Sequence, residues 1–211
     1  MEARRLAILD AMGVHAYVPR PAGSAGPDWA TLAAAVRECR LCGLCATRTQ
    51  TVFGSGDVRA RLMVIGEAPG AEEDRQGEPF VGRAGGLLNS MLHAAGFARG
   101  EVYIANTVKC RPPNNRDPSA EEAERCLPYL RRQIELVAPD VILCVGRIAA
   151  QRLLGRDDTL ARMRGRVHSF DSVPVVVTYH PAYLLRSPGE KRKSWADLKL
   201  TIGALDRGDR A

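Results

Sequence analysis

The chain has 211 residues, of which 45% are hydrophobic and 26% charged, an ordinary globular composition that excludes a disordered chain and suits one compact domain with a short appendage. Thirty Lys and Arg stand against 24 Asp and Glu, a net charge of +6 that leans toward a polyanionic partner. The longest apolar runs, such as Val141–Val145, are far too short to span a bilayer, and Met1 is followed by a mixed stretch with Asp10 and His15, which argues against a secretory signal or membrane anchor.

In chain order, residues 1–18 read as a short helix with a rough apolar stripe of Leu6, Ile8, Leu9, Met12 and Val14. Residues 19–28 (PRPAGSAGPD) read as a flexible linker, so residues 1–28 form an appendage to a domain spanning residues 29–211. A helix is expected over about 29–37. Residues 62–65 (LMVI) predict a buried strand, and residues 82–95 a helix with Leu87, Leu88, Met91 and Leu92 at helical spacing. Residues 102–105 predict a second strand. Ser119 with Glu122 three positions on is a capping box that opens a helix. Val141–Val145 predicts a third strand, residues 148–154 a helix, residues 175–179 a fourth strand and residues 195–205 a closing helix. Strands alternating with helices give an α/β fold, a parallel sheet with helices on both faces and ligands at the strand carboxyl ends. The informative sequences follow the first, second and fourth strands: GEAPG, NTVKCRPP and HPAYLL.

Cys39, Cys42 and Cys45 form C-x2-C-x2-C, and Cys110 and Cys126 follow with 15 residues between them. Cys144, inside an apolar strand, reads as a small core residue. A soft thiolate set selects zinc or an iron–sulfur cluster. Spacing alone neither separates the two nor chooses four ligands from the five.

Gly66-Glu67-Ala68-Pro69-Gly70 lacks both the dinucleotide-binding fingerprint and the Lys of a phosphate-binding loop. Phe80, beyond it, is an aromatic candidate for stacking on a planar ring. Asn106 ends a strand and offers a donor and an acceptor side by side, matched to one edge of a pyrimidine. His180 ends another and suits electrophilic or acid–base work. Tyr183-Leu184-Leu185-Arg186 beside it has the character of a wedge that enters a base stack. Arg162, Arg164, Arg166 and the Lys191-Arg192-Lys193 run would contact phosphates if they lie at the same cleft.

Together these segments resemble the family 4 uracil-DNA glycosylases, the iron–sulfur branch of that superfamily. The match covers roughly residues 30–205: the TQTVFG run at 49–54, GEAPGAEEDRQGEPFVGRAG at 66–85, residues 106–113 and HPAYLLR at 180–186. The resemblance implies a three-layer α/β/α sandwich with a central four-stranded parallel sheet. It implies a 4Fe-4S cluster held by Cys39, Cys42, Cys110 and Cys126, with Cys45 an extra thiol. By the same resemblance Glu67 assists the attacking water, the equivalent of a superfamily Asp being Ala68. Phe80 stacks on uracil, Asn106 reads its polar edge and His180 bonds the O2 that gains charge. Gly66 and Gly70 border the base, and Glu73 sits near its C5 and helps to reject thymine. Tyr183, Leu184, Leu185 and Arg186 meet the DNA. The implied protein is a cytoplasmic monomer acting on uracil-containing DNA, single- or double-stranded. The alternative on the same fold is a non-catalytic or covalent uracil-DNA-binding iron–sulfur protein. The covalent form uses a His in an inserted basic loop, whereas residues 112–118 (PPNNRDP) are short and hold no His.

Overall fold

The computed structural model describes residues 29–208; the helix and linker expected within residues 1–28 lie outside them. Along the chain the strands are β1 (Ser55–Gly56), β2 (Leu62–Gly66), β3 (Tyr103–Asn106), β4 (Val141–Val145), β5 (Val167–Phe170) and β6 (Val173–Thr178). The helices are α1 (Trp29–Glu38), α2 (Ala71–Gln76), α3 (Arg83–Ala94), α4 (Ala120–Val137), α5 (Arg147–Leu154), α6 (Leu160–Met163), α7 (Pro181–Arg186) and α8 (Lys191–Gly208).

The strands form one sheet in the order β1-β3-β2-β4-β6-β5. The four in the middle are parallel, with Ile65 beside Ala105, Val64 beside Leu143 and Cys144 beside Val177. The expected four-stranded parallel sheet is therefore the centre of a six-stranded one, because β1 and β5 add antiparallel edges. Neither edge strand carries an apolar run: β1 is Ser-Gly, and most of Val-His-Ser-Phe in β5 reaches solvent.

Successive side chains of a strand point to opposite faces, and both faces are covered. Met63, Ile65, Ile142, Cys144, Val175 and Val177 pack with Leu130, Ile134 and Leu153 of α4 and α5. Leu62, Val64, Leu143, Val145 and Val176 pack with Leu88 and Leu92 of α3, Leu184 of α7 and Leu198 of α8. This is the three-layer α/β/α sandwich. It also explains why the central strands read as unbroken apolar runs rather than alternating ones. The capping box at α4 forms: the Glu122 N–H donates to Ser119 Oγ at 3.1 Å, and the Ser119 N–H donates to the Glu122 carboxylate at 2.8 Å.

Candidate active site

Four strand carboxyl ends meet in one crevice. They carry Glu67 after β2, Asn106 closing β3, Arg147 after β4 and His180 after β6. Glu67, Asn106 and His180 line a cavity of about 430 Å³, with Ala68, Gly70, Glu73 and Phe80 on its walls. Gly66 pairs with Asn106 across the β2–β3 ladder. A Cβ on Gly66 would fall 2.6 Å from Phe80 Cζ and collide with Asn106 Oδ1. Glycine at this position is what lets ring and amide share the cavity floor. Phe80 is buried and holds a left-handed backbone, φ 54°, which costs on the order of 1–3 kcal/mol outside glycine. Asn106 Oδ1 is buried without a hydrogen-bond partner among the described residues. An acceptor in that state costs about 1–3 kcal/mol unless a ligand donates to it.

His180 caps α7 by accepting the Ala182 N–H at Nδ1, 3.1 Å away. With Nδ1 an acceptor, the neutral ring carries its proton on Nε2. That leaves Nε2–H as the donor the imidazole can offer a ligand. Burial, aided by Arg186 and opposed by Glu73, pushes the imidazole down to about 4, so the ring is neutral at neutral pH. Its centroid lies 5.7 Å from that of Phe80.

Glu67 behaves differently. Burial, followed by the like charge and hydrogen bond of Asp117, pushes its carboxyl up to about 7 against the pull of Arg147 and Arg152. Its carbonyl oxygen accepts from Thr107 Oγ1 at 2.6 Å, tying the β2 end to the β3 end. Glu73 has both oxygens engaged by backbone donors: Oε2 accepts the Gly70 N–H at 3.1 Å, and Oε1 accepts the Val81 and Gly82 N–H groups at 3.0 and 3.1 Å. Besides bordering the cavity, it therefore pins the GEAPG loop to the Phe80 segment.

The expected wedge needs a correction. Residues 181–186 form the helix α7 rather than a loop, and Leu184 is buried at 1% exposure in the core with Leu88 and Leu198. Tyr183 and Leu185, each 38% exposed, are the apolar side chains offered to solvent beside the cavity, and Arg186 lines it. Alternation around a helix turn decides this, and two adjacent leucines give no sign of which one faces inward.

The five cysteines of the sequence pattern line one small cavity between residues 39–48, the loop at 109–110 and α4. Leu44, Val108 and Ala123 pack with Cys110 and Cys126 as a separate small core. Arg48 donates to Cys110 Sγ at 3.0 Å, and the Lys109 N–H donates to Cys126 Sγ at 3.3 Å. Burial pushes the Cys126 thiol up to about 11 against the pull of Lys109. Among the described residues no three His, Cys, Asp or Glu side chains converge on a point that would hold a single metal ion. A multi-iron cluster spreads its thiolates more widely than one zinc ion does. Soft thiol donors, two buried and three half-buried, that line one cavity fit such a cluster. Cys144 lies apart, fully buried in β4.

Several residues at the site carried no sequence signal. Lys109, 1% exposed, donates from Nζ to the Asn106 carbonyl at 2.9 Å and to Gln133 Oε1 at 2.5 Å. Gln133 in turn donates to the Phe53 carbonyl and to the Tyr103 hydroxyl. Asp117, in the loop before α4, and Arg147, the first residue of α5, pair at 3.5 Å. A lysine before a cysteine and an aspartate in a polar loop are common, and only the fold brings them to these partners.

A parallel sheet with this strand-end cavity is the setting of the uracil DNA glycosylase superfamily, whose family model matches residues 53–199, and the chain belongs to that superfamily. Within it the similarity is to the type-4 branch. The chain is 46% identical over 178 residues to the type-4 uracil-DNA glycosylase of Archaeoglobus fulgidus, covering 81% of this chain and 89% of the relative. It is 42% identical over 181 residues to that of Pyrobaculum aerophilum (82% and 92%) and 44% identical over 154 residues to that of Thermotoga maritima (72% and 80%).

Proposed function

We propose that the protein is a uracil-DNA glycosylase that flips deoxyuridine out of DNA, hydrolyses the N-glycosidic bond, and releases uracil to leave an abasic site. The observation that carries this reading is the unpartnered, buried Asn106 Oδ1 beside Phe80 and the neutral His180. Uracil has an N3–H to donate to that oxygen, a flat face for Phe80 and an O2 for His180 Nε2–H. Cytosine has no hydrogen on N3 and leaves the amide unmatched.

The substrate is uracil in single- or double-stranded DNA, gripped through its phosphates by basic side chains at the cavity mouth, among them Arg186. Tyr183 and Leu185 occupy the space that the flipped nucleotide vacates. As the N1–C1′ bond breaks, its electron pair leaves with the base, and His180 stabilises the resulting anion in the manner of an oxyanion hole. Glu67, as carboxylate, takes the proton of the water whose oxygen adds to C1′. Glu73 holds the two loops that frame the base, and Gly66 and Gly70 keep them close.

Cys39, Cys42, Cys110 and Cys126 hold a 4Fe-4S cluster, with Cys45 a bystander. Bound there, it would supply a covalent staple between the segment before β1, the β3 loop and α4; hydrolysis itself changes no oxidation state. The protein acts as a monomer in the cytoplasm, with residues 29–211 as the catalytic unit. No helix among the described residues is long and apolar enough to cross a membrane.

The test is to incubate the purified protein with a uracil-containing oligonucleotide and then treat with alkali. Strand cleavage at uracil, and none in the cytosine or thymine control, is expected. An uncleaved uracil strand that is nonetheless bound would favour the non-catalytic alternative, and a protein–DNA adduct resistant to denaturant the covalent one.

A further inference from the structure

Phe80 holds a left-handed backbone, φ 54°, and a bulky residue keeps that conformation only where its surroundings impose it. The chain imposes it from both sides. The conformation of one residue is the twist between the two planar peptide units that flank it. The unit after Phe80 is held by Glu73, whose Oε1 accepts the Val81 N–H at 3.0 Å and the Gly82 N–H at 3.1 Å. The unit before it carries the Pro79 carbonyl, and Arg99 Nη2 donates to that oxygen at 2.5 Å. Pro79 is buried, so its carbonyl needs such a donor. Gly85 of α3 completes the fit, because a Cβ there would collide with the Phe80 carbonyl oxygen.

Arg99 is itself fixed. It opens the short turn Arg99–Glu101 that leads into β3, the strand that ends at Asn106. Its Nη1 donates to Asn89 Oδ1 of α3 at 2.9 Å, so the guanidinium bridges α3 and the Phe80 segment. It also pairs with Glu78 at 3.3 Å, but the Glu78 side chain is 49% exposed, and such a surface pair contributes little. The carbonyl contact is the shorter of the two. Arg99 does not line the cavity, so its effect on a bound base runs through Phe80.

Resting on the stacking role of Phe80 proposed above, we infer that Arg99 is a positioning residue that locks the peptide unit before Phe80 and so holds the ring against the flipped uracil. Glu73 borders the cavity and locks the unit after Phe80; Arg99 locks the unit before it from behind. Without Arg99 the Pro79–Phe80 unit is free to turn, and the Phe80 backbone relaxes toward the negative φ that L residues prefer. The ring then leaves the floor it shares with Asn106. One stretch of chain thus serves base recognition at both ends, with Arg99 before β3 and Asn106 closing it.

The experiment is single-turnover excision from a single-stranded uracil oligonucleotide by the intact holoprotein, with thermal unfolding recorded for each variant. A single strand needs no unstacking from a duplex, so the wedge residues drop out of the comparison. Arg99→Gln should lower the maximal rate about tenfold, as misplacement of a substrate-positioning group does, with the half-saturating protein concentration near wild type. Arg99→Lys keeps one donor for the Pro79 carbonyl and should recover most of the lost rate. Glu78→Gln removes the ion pair alone and should excise like wild type. In a Phe80→Leu background, Arg99→Gln should have little further effect, since both changes then act on one ring. A wild-type rate in Arg99→Gln beside a slow Phe80→Leu sinks the inference alone. So does an Arg99→Lys as slow as Arg99→Gln, a Glu78→Gln equally slow, or a full tenfold loss on top of Phe80→Leu. If Arg99→Gln lacks a cooperative melt, Arg99→Lys and Glu78→Gln decide by the same criteria. A wild-type rate in Phe80→Leu sinks the stacking role of Phe80 and the inference with it.

Discussion

At the scale of single residues, His180 and Glu67 show how one cavity sets two titratable groups to opposite tasks. Burial lowers the imidazole to about 4 and raises the carboxyl to about 7, because both are held away from the water that would stabilise their charged forms. In the proposed mechanism His180 donates to a charge that exists only as the bond breaks. His180→Ala should therefore lower single-turnover excision by about 10²–10³-fold while DNA affinity, measured separately, stays near wild type; a parallel loss of affinity would contradict its placement at the leaving base. Glu67 also acts on folding. Its carboxyl ionises near 4.5 when unfolded and near 7 when folded. The stability it contributes is complete below 4.5 and is lost as pH rises through 7, where a carboxylate must sit half-buried. Glu67→Gln should accordingly melt about 2–4 °C above wild type at pH 8 and level with it at pH 5, read from thermal unfolding at the two pH values. An equal offset at both would mean that packing, not ionisation, separates the variants.

At the scale of elements, α7 divides its work between neighbours in sequence. Leu184 faces the sheet among Leu88 and Leu198, and Leu185 faces solvent. Leu184→Ala should cost about 2–5 kcal/mol of stability, as a large-to-small core change does. Leu185→Ala should leave the melting temperature near wild type and slow excision more in duplex than in single-stranded DNA, where no stack must be opened. Equal slowing on both substrates would remove Leu185 from the flipping step. The edges of the sheet teach a related lesson. β1 and β5 exist because β3 and β6 offer unpaired backbone edges, so their pairing is a property of the neighbouring strand and not of Ser-Gly or Val-His-Ser-Phe.

At the scale of the whole molecule, the cysteine cavity joins segments far apart in sequence, and Lys109 links it to the active site: its backbone N–H reaches Cys126 and its ammonium reaches the Asn106 carbonyl. Loss of the proposed cluster should therefore loosen the Asn106 strand end as well as the cysteine segments. Cys126→Ala should lose iron, the brown colour and the cooperative melt together, whereas Cys144→Ala and Cys45→Ala should keep the iron, measured by metal analysis and visible absorbance. Full iron in Cys126→Ala would remove it from the ligand set.

The amino-acid order specifies the four central strands to within a few residues, since a strand buried on both faces must be apolar throughout. It determined the capping box at Ser119 as well, because that hydrogen-bond pair is local. It also pointed to Glu67, Asn106 and His180 at strand ends and to Phe80 within the long run at 66–85, four residues that line one cavity. Which side of a turn faces inward, and which distant side chains meet, follow from the folded packing alone. Leu184 and Leu185 are identical as letters and opposite in burial. Asp117 and Arg147 meet only when the loop after β3 and the first turn of α5 converge. Glu73 lines the cavity, and only the folded chain shows that its two oxygens also hold three backbone N–H groups. Contacts over such sequence separations leave no periodicity or spacing to read, since their energy comes from burial and charge in a crevice that exists only once the sheet has closed around it.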